Sequence, residues 1–300
     1  MIQLKKFKNY SLTLILFVAP TLLLFTVLVA YPIVEALYGG MLDWDGISSG
    51  TWIGFENYKK LFTSSLFLLC QKNTLIYLAV MLGYMLIIGM LAALLLVAIR
   101  SKMRDLFRSA FFLPVIISST VVCQMWLSIF NFDSGLLNKI FEMLGVTYRQ
   151  EWLTNSNTAI LVVAFVSAWQ YMGLAFMMYY TNIRSIPEEY FEAAKIDGAS
   201  VLQMHRHITF PMLQEALRFC LVFAISASIR AFDTIYIMTN GGPGDYTNTL
   251  AFLMYKTAFI RGKYGYGCAV AVIIVIECEI FYSIINKLFN RHDIYKERSC

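Results

Sequence analysis

Residues 192–211 read EAAKIDGASVLQMHRHITFP. They form a polar, sharply punctuated stretch between two greasy segments of near-membrane length, and that placement decides the fold. Ser185 stands three residues before Glu188, the spacing of a capping box, with Pro187 in the first turn of a helix. Glu188 and Glu189 add negative charge where the helix dipole favours it. Gly198 predicts the stop, because glycine enters the left-handed region at little cost. Ser200 and Gln203 repeat the capping-box spacing, and Pro211 suits the first turn of the next span. The reading is helix, glycine turn, helix, proline, membrane.

Outward from this stretch the chain is apolar. Of 300 residues, 59% are hydrophobic and 14% charged, with a mean hydropathy of +0.63; a soluble domain carries about 25% charge. A bilayer crossing takes about 20 apolar residues. Four uncharged runs reach that length, at 11–34, 73–99, 109–132 and 152–183. Two more, 212–238 and 265–289, carry interior charges: Arg218 and Arg230 in one, Glu277 and Glu279 in the other. The fold class expected is all-α and integral to the membrane, with about six transmembrane helices (11–290), a polar loop at 184–211, and short ends at 1–10 and 291–300. The first run exceeds the ~7–15 residues of a signal h-region and is expected to stay as a helix behind Lys5, Lys6 and Lys8.

Lys and Arg concentrate on alternate segments: Lys5, Lys6, Lys8; Arg100, Lys102, Arg104, Arg108; Arg184, Lys195, Arg206; Lys287, Arg291, Lys296, Arg298. The positive-inside rule places these, both termini and the 184–211 loop in the cytoplasm. The net charge of +5 follows from that bias. No basic stripe with interleaved aromatics points to nucleic acid. The six cysteines fall mostly in apolar spans and read as small apolar fillers.

E-A-A at Glu192, Ala193 and Ala194, then Gly198, Ile208 and Pro211, resembles the EAA loop of ATP-binding-cassette importer permeases. Phe210 stands where that family usually has leucine, and Lys195 where it has a small residue. The resemblance extends to Gly54, Glu56, Asn57 and Tyr58 in the first outer loop. It covers Phe112-Leu113-Pro114, Trp126, Gly135 and Asn138. It is closest to carbohydrate importers at Phe232-Asp233-Thr234-Ile235-Tyr236 and Thr239-Asn240-Gly241-Gly242-Pro243-Gly244. The resemblance implies that an ATPase grips Glu192, Ala193, Ala194, Asp197, Gly198, Ile208 and Pro211. It implies a second permease, a cytoplasmic ATPase dimer holding ATP and magnesium, and an extracellular solute-binding protein delivering a sugar. The setting implied is a bacterial cell membrane.

The residues suggest a pathway independently. Ser167, Gln170, Tyr171 and Leu174 recur at i, i+3, i+4, i+7 on one helical stripe. An amide at mid-membrane either lines a cavity or bonds another helix; the resemblance favours the cavity. Ser226, Ser228 and Arg230 form a second polar patch. Glu277 is a functional candidate as an intramembrane acid, which frames two other readings: an ion-coupled transporter, or a lipid enzyme using Glu277, Glu279, Asp233 and arginines. No Walker A sequence occurs, so ATP binding is expected on another chain. No metal-ligand spacing and no serine elbow are present, so no cofactor and no enzymatic role are expected of this chain.

Overall fold

The computed structural model describes residues 15–99, 103–146 and 149–290. The ends expected at 1–10 and 291–300, the start of the 11–34 run, Arg100 and Lys102 lie outside the described residues. In chain order the elements are α1 (Ile15–Gly39), β1 (Leu42–Asp43), β2 (Thr51–Trp52), α2 (Glu56–Thr63), α3 (Ser65–Ala98), α4 (Arg104–Ile116), α5 (Ser119–Ile129), α6 (Leu136–Met143), α7 (Ala159–Arg184), α8 (Glu188–Ile196), α9 (Val201–Met212), α10 (Gln214–Ile229), α11 (Asp233–Met238), α12 (Leu250–Ile260) and α13 (Tyr264–Asn290). Helices α1, α3, α7 and α13 are long and apolar enough to cross a bilayer. Two bent pairs, α4–α5 at 100° and α9–α10 at 63°, raise the number to six. Among the described residues this membrane protein is all-α apart from one two-residue antiparallel pair, Leu42 opposite Trp52.

The chain divides into two compact units. The first holds residues up to 63 and 254–273. Its helix α1 is apolar and exposed along its length. Its loop is tied by Asn57, whose Nδ2 donates to the carbonyls of Gly40 (3.1 Å) and Leu42 (2.8 Å). Asp45 accepts from the Ile47 and Ser48 amides and the Ser48 hydroxyl. Those donors, backbone first, hold its carboxyl down at about 2.

The second unit holds residues 64–253 and those from 274 onward. Helix α7 is its spine: Val163, Ala164, Val166, Ala168, Ala175, Phe176 and Tyr179 are fully buried. Small residues let its neighbours approach closely, as membrane helices require in the absence of a hydrophobic force between them. A Cβ on Gly173 would lie 2.0 Å from the Phe111 carbonyl oxygen of α4. One on Gly89 of α3 would lie 3.1 Å from the Ala175 Cβ.

Several span limits differ from the sequence reading. The second span begins at Ser65 rather than 73, started by Ser64, whose Oγ accepts from the Phe67 amide. Asn73 and Thr74 lie inside that helix and hold the 246–250 turn. Asn73 Nδ2 donates to the Tyr246 (2.8 Å) and Asn248 (2.9 Å) carbonyls, and Thr74 Oγ1 accepts from the Leu250 amide (3.2 Å). The run 152–183 becomes helical only at Ala159, because Asn138 holds Gln150 and Trp152 in a loop. The run 109–132 is not one helix but two, broken at Ile117 and Ser118, three residues past Pro114. The run 212–238 is interrupted at Leu213 and again at Arg230–Phe232. The apolar helix α12 lies between the expected spans 212–238 and 265–289.

Two prolines are accommodated by one device. Tyr31 donates to Thr26 and Phe210 to His205, both five residues back. The widened π turn so made precedes Pro32 and Pro211. A proline has no N–H for the i−4 carbonyl and its ring crowds that oxygen; the wider turn relieves both.

Candidate functional site

A cavity of about 430 Å³ opens within the second unit, lined by residues from α3, α5, α7, α10 and α11 and by the break after α10. Its floor is a closed triangle of hydroxyls. Tyr77 donates to Ser167 and lies 3.0 Å from Thr234 Oγ1, and Ser167 Oγ lies 3.4 Å from Thr234 Oγ1. All three are buried. One wall is aromatic, with Tyr171 and Phe223 at 5.5 Å between ring centroids. The rim carries Arg230 and Asp233. Arg230 Nε donates to the Ser226 carbonyl at 3.2 Å, and among the described residues no carboxylate pairs with its guanidinium.

Why the break is there follows from the local chain. Helix α10 ends at Ile229, and the Ala231 carbonyl in the break that follows accepts from Thr249 Oγ1 at 2.6 Å. With that group satisfied, non-helical backbone at membrane depth is tolerated where it lines a cavity. The surface so made joins hydroxyls, aromatic faces and one charge of each sign.

Of the residues singled out from sequence, Ser167, Tyr171, Ser226 and Arg230 line this cavity; Gln170, Leu174 and Ser228 do not. The stripe through 167, 170, 171 and 174 is wide, and the cavity meets only its Ser167–Tyr171 edge. Gln170 faces the α4–α5 break, where its Nε2 donates to the open Ile117 carbonyl at 3.0 Å. It joins helices. Ser228 is spent on the Ala224 carbonyl of its own helix at 2.7 Å. Tyr77, Ser119, Phe223 and Thr234 were not picked out as site residues. A lone tyrosine or threonine in an apolar run carries no periodic signal.

Gln170→Leu is therefore expected to remove the donor of a half-buried carbonyl, a loss of about 1–3 kcal/mol. A lower melting temperature of the purified protein checks this; an unchanged one contradicts it.

The second candidate region is the 188–211 helix pair. Helix α8 ends in a Schellman motif: Ala199 N–H donates to Ala194 and Gly198 N–H to Lys195, with Gly198 at φ +75°. Ser200 and Gln203 form the expected reciprocal cap on α9. The expected box at Ser185 does not form. Ser185 ends α7, its Oγ donating to the Asn182 carbonyl at 2.8 Å, and Pro187 is the N-cap of α8. Pro211 lies late in α9, before the Leu213 break, rather than opening the next span. A shallow cavity of about 350 Å³ between the two helices is lined by Ala194, Asp197, Gly198, Gln203, His207 and Ile208, among others. Glu192 and Ala193 are exposed. Around them Tyr190, Ile196, Val201 and Leu202 are exposed too, Ile196 to 86%. Apolar side chains this bare on a polar loop mark a contact surface.

One intramembrane charge has a partner that spacing did not suggest. Arg218 Nη2 donates to Asn286 Oδ1 at 2.6 Å. Glu277 does not line the cavity, and Glu279 is exposed.

Comparison with known proteins places this geometry. Residues 85–292 match the family described as binding-protein-dependent transport system inner membrane component. The chain is 36% identical over 264 residues to the probable ABC transporter permease protein YurN of Bacillus subtilis, covering 87% of this chain and 90% of that protein. It is 31% identical to the probable starch degradation products transport system permease protein AmyD of Thermoanaerobacterium thermosulfurigenes, over 91% of each. The fold is that of a bacterial alginate ABC transporter solved in complex with an alginate pentasaccharide-bound periplasmic protein, at a TM-score of 0.82 and 22% identity, covering 95% of this chain and 96% of that one. The chain thus belongs to the binding-protein-dependent transport system inner membrane component family, as a permease of the ATP-binding-cassette importer type.

Proposed function

We propose that this chain is the membrane subunit of an importer for a sugar or oligosaccharide. The observation that carries the reading is the cavity's chemistry: aromatic faces and hydroxyls, with Asp233 and the Arg230 guanidinium, which no carboxylate among the described residues pairs, on the rim to take hydroxyl groups. Sugars offer hydroxyls to such groups and apolar ring faces to aromatics. Relatives named for starch degradation products and for multiple sugars support the class.

In this reading a cytoplasmic ATPase dimer, holding ATP and magnesium, docks on the exposed Tyr190, Ile196, Val201 and Leu202 around Glu192–Gly198. A second permease completes the pore, and an extracellular solute-binding protein delivers the sugar. Both termini face the cytoplasm of a bacterial cell. Closure of the ATPase dimer moves α8 and α9. Helices α7 and α10, which enter and leave that loop, carry the motion to the cavity they line. A shift from 1:99 to 99:1 between inward and outward states takes about 5.5 kcal/mol of differential binding.

The test is uptake of labelled sugar by the reconstituted complex. Tyr171→Ala and Arg230→Ala are each expected to lower uptake at least about tenfold, roughly the loss of one 1.4 kcal/mol contact, with ATPase association unchanged. Wild-type uptake by both variants would remove the cavity from the sugar's route.

A further inference from the structure

At the far end of α3 a groove runs along the membrane surface of the second unit. Leu91, Leu95 and Ile99 line one side, Phe107 and Phe111 of α4 the other, around about 360 Å³. Its lining is apolar throughout. Leu91 and Leu95 are more than half exposed, and Ile99 and Phe107 are about 40% exposed. From Ile88, which opens it, to Ile99 the groove follows eleven residues, or about 16 Å at 1.5 Å per residue. That is the depth of one leaflet, half of the ~30 Å hydrocarbon core.

Helix α4 joins this groove to charge. Arg104, Phe107, Arg108 and Phe111 recur at i, i+3, i+4, i+7 and share one face. The two arginines stand at the end of that face where α4 begins, and the two phenylalanines continue it into the groove. Arg108 reaches Asp105 only at 3.4 Å, and no carboxylate among the described residues pairs with Arg104. The surface is a cationic head over an apolar slot one leaflet deep. A neutral occupant would leave Arg104 uncompensated at the membrane edge, and an anionic head group supplies the missing charge.

We propose that this groove seats an acyl chain of an anionic phospholipid, whose phosphate is held by Arg104 and Arg108. The site is separate from the sugar cavity and from the 188–211 helix pair, and it does not depend on the transport reading.

The test is native mass spectrometry of the full chain as purified from its membrane in mild detergent, titrated with phosphatidylglycerol or phosphatidylcholine. The wild type is expected to retain one phosphatidylglycerol per chain in preference to phosphatidylcholine by roughly 30-fold, the effect of two surface arginines. The double variant Arg104→Gln, Arg108→Gln is expected to lose that preference. Ala92→Phe, which fills the groove and leaves both arginines, is expected to lower retention of both lipids. Equal retention of the two lipids by the wild type, or an unchanged preference in the double variant, overturns the proposal. So does cross-linking of Leu95→Cys to a protein helix in place of lipid.

Discussion

Gly173→Val is expected to abolish accumulation of folded protein. The side chain has nowhere to go: a Cβ at 173 lies 2.0 Å from the Phe111 carbonyl oxygen, 3.0 Å from its carbon and 3.2 Å from the Phe112 Cα. These are backbone atoms inside a helix and cannot swing aside, so α4 and α7 must separate. Separation breaks the Phe111–Phe176 ring contact, now 5.0 Å between centroids, and the Gln170–Ile117 hydrogen bond. Overpacking costs about 1–3 kcal/mol, the stranded carbonyl about 1–3 and the ring pair about 0.5–1.5. Their sum is a large part of the ~5–15 kcal/mol that hold a typical domain. Size-exclusion chromatography of a fluorescent fusion, co-expressed with its partners, reads the result. A monodisperse peak at wild-type height for Gly173→Val would show that α4 is not held this closely. Gly83→Ala is the control: nothing lies within 4 Å of its Cβ, and it should behave as wild type.

That glycine was not legible in the sequence, and the reason is instructive. Gly173 sits in an apolar run where a small residue has many uses, and only the crossing of α4 over α7 gives it one. The same holds for the cavity. Tyr77, Ser167 and Thr234 are 90 and 67 residues apart along the chain, and no local pattern joins them. Local features were legible. Gly198 and the Ser200–Gln203 cap could be read because their chemistry is complete within a few residues. The Ser185 cap failed because the last turn of α7 had a prior claim on that hydroxyl. Membrane character was legible from length and composition, which no tertiary contact can undo. The helix breaks were not. Pro114 marks the third span, yet the backbone turns three residues later, at Ile117, where Gln170 can satisfy the open carbonyl. Asn73 reads only as the start of a span, and Asn138 only as a position shared with the resembled family. Each proves to be a hub holding two carbonyls, Tyr246 and Asn248 for Asn73, Phe132 and Gln150 for Asn138, which a sequence cannot show because those partners are backbone.

Gly198→Val is expected to abolish uptake while leaving the protein folded and in the membrane. The contrast with Gly173 is physical. Nothing lies within 4 Å of a Cβ at 198, so bulk is tolerated and only the backbone objects. Gly198 holds φ +75°, where an L residue costs about 1–2 kcal/mol and a β-branched one more. The strain falls on an exposed turn, so it cannot unfold a core built around α7. It can be relieved by undoing the Schellman motif, which frees the carbonyls of Ala194 and Lys195 and changes the angle between α8 and α9. That angle sets where Ile196, Val201 and Leu202 point, and on the proposed reading these are what the ATPase grips. A series separates backbone from bulk. Asn tolerates the left-handed region and should retain most uptake; Ala should lose part; Val should lose nearly all. Sugar-stimulated ATP hydrolysis should fall in the same order while the chromatographic peak stays unchanged. If Val transports normally, the turn does not couple ATP to the pore. If Asn fails as completely as Val, size rather than conformation matters at 198, and a partner side chain must occupy the space that is open in the isolated chain.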